Sequence, residues 1–174
     1  MKQQKGFTLI ELIIVIIILG ILAVTAAPRF FNFATDARIS TLQGVEGSIN
    51  GAAGIVYGKS VIAGTNNASS STVDGVTTTY GYPTADAGGI IAALSLSSVD
   101  WTNGVVANGA TDGDGDEVVG IAIYSSVLDT TDWEFDRDQT LSGCFVVYVP
   151  AYNSDATPDV EIEIYEVFRV TDQC

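Results

Sequence analysis

Several groups of residues in this chain have types and spacing that could do chemistry. The first is the loop Thr111-Asp112-Gly113-Asp114-Gly115-Asp116-Glu117. Asp112, Asp114, Asp116 and Glu117, with glycines between, can wrap carboxylates round a hard cation such as calcium. An EF-hand needs a glutamate at its twelfth position, where Ile123 stands, so the loop is not that motif. The plain alternative is a solvated acidic turn joining two strands. A second cluster, Asp129, Asp132, Glu134, Asp136 and Asp138, surrounds Trp133 and Phe135. It reads either as an exposed aromatic patch for a sugar or receptor or, more commonly, as aromatics buried inside a charged loop. The third group is the pair Cys144 and Cys174, the latter the last residue given. An even count behind an export-like N-terminus favours a disulfide, closing a loop of ~30 residues and worth roughly 3.5 kcal/mol by loop-closure entropy. Asn67-Ala68-Ser69 matches a glycosylation acceptor, although an ordinary polar loop explains so short a match as well.

The fourth group is a single residue. Glu11 stands near the start of KGFTLIELIIVIIILGILAVTAAPRFF, in which only Thr8, Glu11 and Thr25 are polar between Phe7 and Ala27. A carboxylate in an apolar membrane helix costs about 2.5–3.5 kcal/mol at the centre and less near an end. A charge kept there by default has a function and a partner. The chain has no cation within reach of it, so the partner is expected on another molecule.

No catalytic constellation accompanies these residues. There is no histidine and no glycine loop with a lysine to cradle phosphate. An enzyme is therefore not expected. With 21 acidic residues against 7 basic ones the net charge is −14. Such a surface repels nucleic acid and anionic lipid headgroups.

These residues need elements to hold them. About 21 apolar residues reach about 30 Å as a helix, the thickness of a bilayer core. Lys2 and Lys5 precede the run, which keeps the N-terminus in the cytoplasm. Three uses compete: a signal peptide cut near Val24-Thr25-Ala26, a plain anchor, or a retained helix that later packs against copies of itself. Only the last gains from Glu11. Gly20 and Pro28 weaken the helix, since Gly costs about 1 and Pro about 3 kcal/mol in a helix interior.

The stretch Lys5-Gly6-Phe7-Thr8-Leu9-Ile10-Glu11 resembles the processing motif of type IV pilins, and the likeness extends over about residues 2–32. The resemblance implies that a prepilin peptidase removes leader residues 1–6 by cutting after Gly6. It implies that Phe7 becomes the N-methylated first residue and that Glu11 neutralises the new amine of a neighbouring subunit. It further implies a homopolymeric filament built by inner-membrane assembly machinery of a Gram-negative bacterium, with Gly20 and Pro28 bounding a segment that stretches on assembly. No cofactor is implied beyond the calcium reading of the acidic loop. Within the family, ILAVTAAPRFFN, DARISTLQGVEGSI and GYPTA resemble the mannose-sensitive haemagglutinin type, whose filaments mediate surface attachment and biofilm formation. A pseudopilin of a type II secretion system and a secreted domain freed by signal peptidase are the alternatives.

The fold class expected is α+β. After the apolar helix of 7–28, residues 29–59 place Ile39, Leu42, Val45, Ile49, Ala52, Ala53 and Val56 on one helical face. Gly44, Gly47, Gly51 and Gly54 weaken this half and would allow close approach of a sheet or a neighbouring helix. Residues 60–174 form a head with a variable loop at 60–117, containing a short strand ended by Pro83 and a short helix within 87–96. Strands are expected at 118–124, 144–149 and 160–168, the last with Val160, Ile162, Ile164 and Val167 inward. An antiparallel sheet on the amphipathic helix follows. The pilin resemblance implies the same arrangement, with the disulfide framing the loop 144–174.

Overall fold

The computed structural model describes residues 7–111, 115–128, 130, 133, 141–154 and 162–174. One long helix, α1, runs from Leu9 to Ala63, and Gly20 and Pro28 both lie within it. Contacts divide the chain into two units, 1–38 and 39–174.

In the second unit the helical stripe is buried as its spacing requires. Leu42, Val45, Ile49, Ala53 and Val56 are each 6 % exposed or less. The first four meet Ile121, Ile123, Val146 and Tyr148 from one face of a sheet. The glycines do not serve that contact. A Cβ at Gly44, Gly47, Gly51 or Gly54 would meet no atom within 4 Å, so the sheet does not need them small. They sit on the helix face turned away from the buried stripe.

The variable segment holds more regular structure than its composition suggests. β1 (Ser71–Val73), β2 (Val76–Thr79) and β3 (Tyr82–Pro83) form a three-stranded antiparallel sheet. Two tight turns join them, Asp74-Gly75 and Tyr80-Gly81, with positive φ at all four residues. Such a pair of left-handed residues matches the twist of the flanking strands. At Gly81 there is also no room, since a Cβ would come within 2.7 Å of Ser60 Oγ. Thus VTTTYGYP is a hairpin, not one strand ended by Pro83. The short helix α2 is Ile90–Leu94, narrower than the 87–96 window. Asp86 Oδ1 accepts from the N–H groups of Gly88 and Gly89, both at 2.7 Å, just ahead of it.

The main sheet has the order β4 (Trp101–Thr111), β5 (Glu117–Ser125), β6 (Phe145–Val149) and β9 (Glu166–Val170), all antiparallel. β4 lies in the segment expected to be loop. Its WTNGVVANGAT sequence carries glycines and asparagines that strands usually avoid, and pairing along β5 overrides that preference. Every residue of β6 is buried, because both sheet faces are covered. On the far face Val106, Val118, Ala122, Phe145, Val147 and Val149 pack with Tyr124, Leu141 and Phe168.

The expected strand 160–168 breaks in two. β8 (Ile162–Glu163) pairs with β7 (Tyr152–Asn153), while β9 joins β6. Between them Ile164 is 68 % exposed, contrary to the inward position its alternation predicts. The chain leaves one ladder and enters another here, so the period-2 phase is not carried through. Tyr165 turns inward instead, its ring tilted against those of Tyr82 and Tyr148, with its hydroxyl donating to Asn50 Oδ1 of α1 at 3.1 Å. Val167 is partly buried against the core, and Val160 lies outside the described residues.

Candidate functional site

The start of α1 is built by a reciprocal cap. Thr8 precedes the first helical residue, and Glu11 follows three positions later, the spacing of a capping box. Thr8 N–H donates to Glu11 Oε2 at 2.8 Å, and Thr8 Oγ1 donates to the same oxygen at 2.7 Å. In return Glu11 N–H donates to Thr8 Oγ1 at 3.4 Å. Glu11 therefore has neutral hydrogen-bond donors within its own helix, in addition to the cation expected on another molecule. The signal was present in the sequence as Thr-Leu-Ile-Glu. The donors are neutral, so they orient the carboxylate and satisfy the helix end without removing the charge.

From Leu9 to Ala26 the helix is apolar on all sides, with mean hydropathy 3.0 over 18 residues and none of them buried. At about 1.5 Å per residue this is roughly 27 Å, long and apolar enough to cross a membrane. The hydroxyl of Thr25 donates back to Leu22 O at 2.9 Å, which hides its polarity within the helix. Phe7 is 92 % exposed at the head of this segment. A side chain at Gly20 would meet no atom within 4 Å, so packing within one chain does not explain that glycine. Gly6 lies outside the described residues.

The other candidates are scattered elsewhere in the second unit. Cys144 and Cys174 form a disulfide with Cα atoms 4.8 Å apart and a sequence separation of 30. Asp116 and Glu117 are exposed at the entrance to β5, while Asp112 and Asp114 lie outside the described residues. Among the described residues no group of three or more His, Cys, Asp or Glu side chains is placed to hold a metal. Of the second acidic cluster only Trp133 is described, and it is partly buried, its ring packed on Tyr124 and Phe145 at 5.3 and 5.6 Å. Trp133 is thus engaged in packing, and Phe135 lies outside the described residues.

Sequence reasoning overlooked one feature, a row of four tyrosines. Tyr57 stacks on Tyr82 at 4.5 Å, and Tyr82 and Tyr148 both meet Tyr165. Tyr148 donates its hydroxyl to Pro83 O at 2.7 Å in the core, and burial pushes its phenol well above the ordinary tyrosine range. Tyr82 is raised for the same reason, helped by Tyr57 and Tyr165. The row ties α1, β3, β6 and the residue just ahead of β9 together.

Comparison with known proteins bears on the N-terminal segment most directly. Residues 1–27 match the family described as the prokaryotic N-terminal methylation motif. A fimbrial protein of Pseudomonas aeruginosa is 38 % identical over 65 residues, 36 % of this chain and 42 % of that protein. The type IV major fimbrial protein FimA of Dichelobacter nodosus is 46 % identical over 46 residues, 26 % of this chain and 30 % of its own length. Fimbrial protein Q of Moraxella bovis is 35 % identical over 112 residues, 63 % of this chain and 66 % of that protein. The chain thus spans less than half the length of the first two of these relatives. No solved structure matches it. The long helix followed by antiparallel sheets is consistent with the type IV pilin fold, and the first 27 residues carry the N-terminal methylation motif that the family model describes.

Proposed function

We propose that the chain is a structural subunit of a type IV pilus, with no enzymatic role. The precursor sits in the inner membrane through Leu9–Ala26, is cut after Gly6, and is methylated on the new N-terminal nitrogen of Phe7. It then polymerises into a surface filament through the same apolar helix. The observation that carries this reading is the pairing of an 18-residue apolar helix, none of it buried, with a capped acid at its head. Apolar surface of that extent is covered in any stable state, first by lipid and then by other subunits. Both Thr8 donors converge on Glu11 Oε2, and Oε1 is the oxygen we assign to the ammonium of a neighbouring Phe7. Gly20 and Pro28 are the positions at which we expect the helix to soften during assembly.

The finer reading is a filament of the mannose-sensitive haemagglutinin type, serving attachment and biofilm formation. It rests on the stretches ILAVTAAPRFFN, DARISTLQGVEGSI and GYPTA. Two measurements test the whole. Mass spectrometry of the mature N-terminus is expected to find methylated Phe7, and a chain beginning at Ala26 or Ala27 would refute the reading. Electron microscopy of sheared cells is expected to show long filaments that vanish in Glu11→Ala while membrane insertion stays normal. A normal filament number in that variant would overturn the pairing, and a short periplasmic stub would mark a pseudopilin.

A further inference from the structure

The C-terminal tail is held beside Ser142 and Gly143 by contacts that involve no sulfur. Pairing of Phe145 with Val170 brings the tail to that place. Ser142 Oγ then donates to Asp172 Oδ2, and Gly143 N–H donates to Asp172 Oδ1 at 2.9 Å. Gln173 N–H donates to Gly143 O at 3.1 Å, and Gln173 Nε2 donates to Ser142 Oγ at 2.7 Å. Both Ser142 and Gly143 immediately precede Cys144, and both Asp172 and Gln173 immediately precede Cys174. The four bonds thus flank a pair of cysteines whose Cα atoms lie 4.8 Å apart, within the range that a disulfide needs. The two sulfur positions differ in access. Cys144 is 1 % exposed in the core, whereas Cys174 is partly exposed at the chain end.

We propose that this polar clasp closes before the disulfide and positions Cys174 for oxidation, with Asp172 as its positioning residue. The covalent step runs on the folded unit. The Cys174 thiolate attacks a disulfide oxidant, forming a mixed disulfide and releasing one thiolate of the oxidant. Cys144 loses its proton to solvent, attacks Cys174 Sγ, and expels the second thiolate. Two protein thiols give up two protons and two electrons, and the oxidant's disulfide is reduced to two thiols. Cys174 goes first because it is partly exposed, whereas Cys144 is buried in the core. The inference is independent of the pilus reading.

The test reduces the full-length chain in detergent, removes the reductant, and follows reoxidation by oxidised glutathione through thiol alkylation and mass spectrometry. It is run in native buffer and in concentrated guanidinium. The wild-type chain is expected to close its disulfide faster in native buffer than in denaturant. Asp172→Ala removes the acceptor of two hydrogen bonds and is expected to slow native reoxidation about tenfold while leaving the denatured rate unchanged. Asp172→Asn keeps an acceptor for Gly143 N–H and is expected to recover part of that loss. Ser142→Ala provides the same readout if the Asp172 variant fails to fold by circular dichroism. A clasp variant that folds and reoxidises at the wild-type rate in native buffer overturns the proposal, as does a wild-type chain that closes no faster folded than unfolded.

Discussion

Residues 9–26 and 42–56 belong to the same helix and are both rich in aliphatic side chains, yet they meet opposite fates. In the first stretch Ile16 is 57 % exposed and typical of its neighbours, and no residue is buried. In the second, Ile49 is fully buried, and the residues between the buried positions are mostly glycine and polar side chains, with Ile55 left 64 % exposed among them. Pattern explains the difference, because a helix that is apolar all round offers no single face on which a sheet can close. A stripe at three- and four-residue steps offers one face, and the sheet takes it. A helix can thus carry two kinds of apolar surface, one that folds the chain and one left for a solvent other than water.

The sharpest way to break this comparison is to truncate an isoleucine in each stretch. Ile49→Ala is expected to destabilise the second unit by about 3 kcal/mol, through lost transfer energy and a cavity. Ile16→Ala is expected to leave denaturant unfolding of that unit unchanged, and a comparable loss at both sites would refute the division. Next in size is Tyr148→Phe, which orphans the buried Pro83 carbonyl and is expected to cost about 1–2 kcal/mol in the same assay. Thr78→Val works in the opposite direction. Thr78 Oγ1 is buried with no hydrogen-bond partner among the described residues, so replacing it with a methyl is expected to raise stability by about 1 kcal/mol. The smallest effect is a pH dependence. Hydrogen bonds from Ser142 and then Gly143 hold the Asp172 carboxyl below the ordinary aspartate range. Its contribution is present in full above that range and lost as pH falls through the lowered value. Asp172→Asn is expected to remove this acid-limb component of the melting profile, and an unchanged profile would show that the clasp contributes nothing to stability.

Much of the helix was legible beforehand. The buried set Leu42, Val45, Ile49, Ala53 and Val56 follows from helical spacing alone, since every contact partner lies on one side. The strands at β5 and β6 were legible for a similar reason, being continuous β-branched runs. The hairpin turn at Asp74-Gly75 was readable and passed over, because the serine-rich stretch before it suggested loop throughout. The Thr8–Glu11 cap was likewise written in the order of residues, but the cost of a charge in an apolar helix drew attention to absent cations and away from nearby donors. β4 was not legible, because Gly104 and Gly109 weaken any local preference and only the neighbouring strand makes extension favourable. Nor was the break at Ile164, which depends on which strand each half finds to pair with.

Local order by itself determined the apolar head, its acid, the amphipathic stripe and the two cysteines, since each depends on spacing of four residues or fewer or on residue type. Tertiary structure decided the rest: the pairing of β9 with β6 while β8 turns to β7, the tyrosine row, the Arg169–Glu46 ion pair at 2.7 Å, and the clasp that lays Asp172 against Ser142. These join residues from 9 to 123 positions apart, and such contacts exist only once the chain has closed around a common core, where the hydrophobic burial of many residues offsets the entropy of bringing them together.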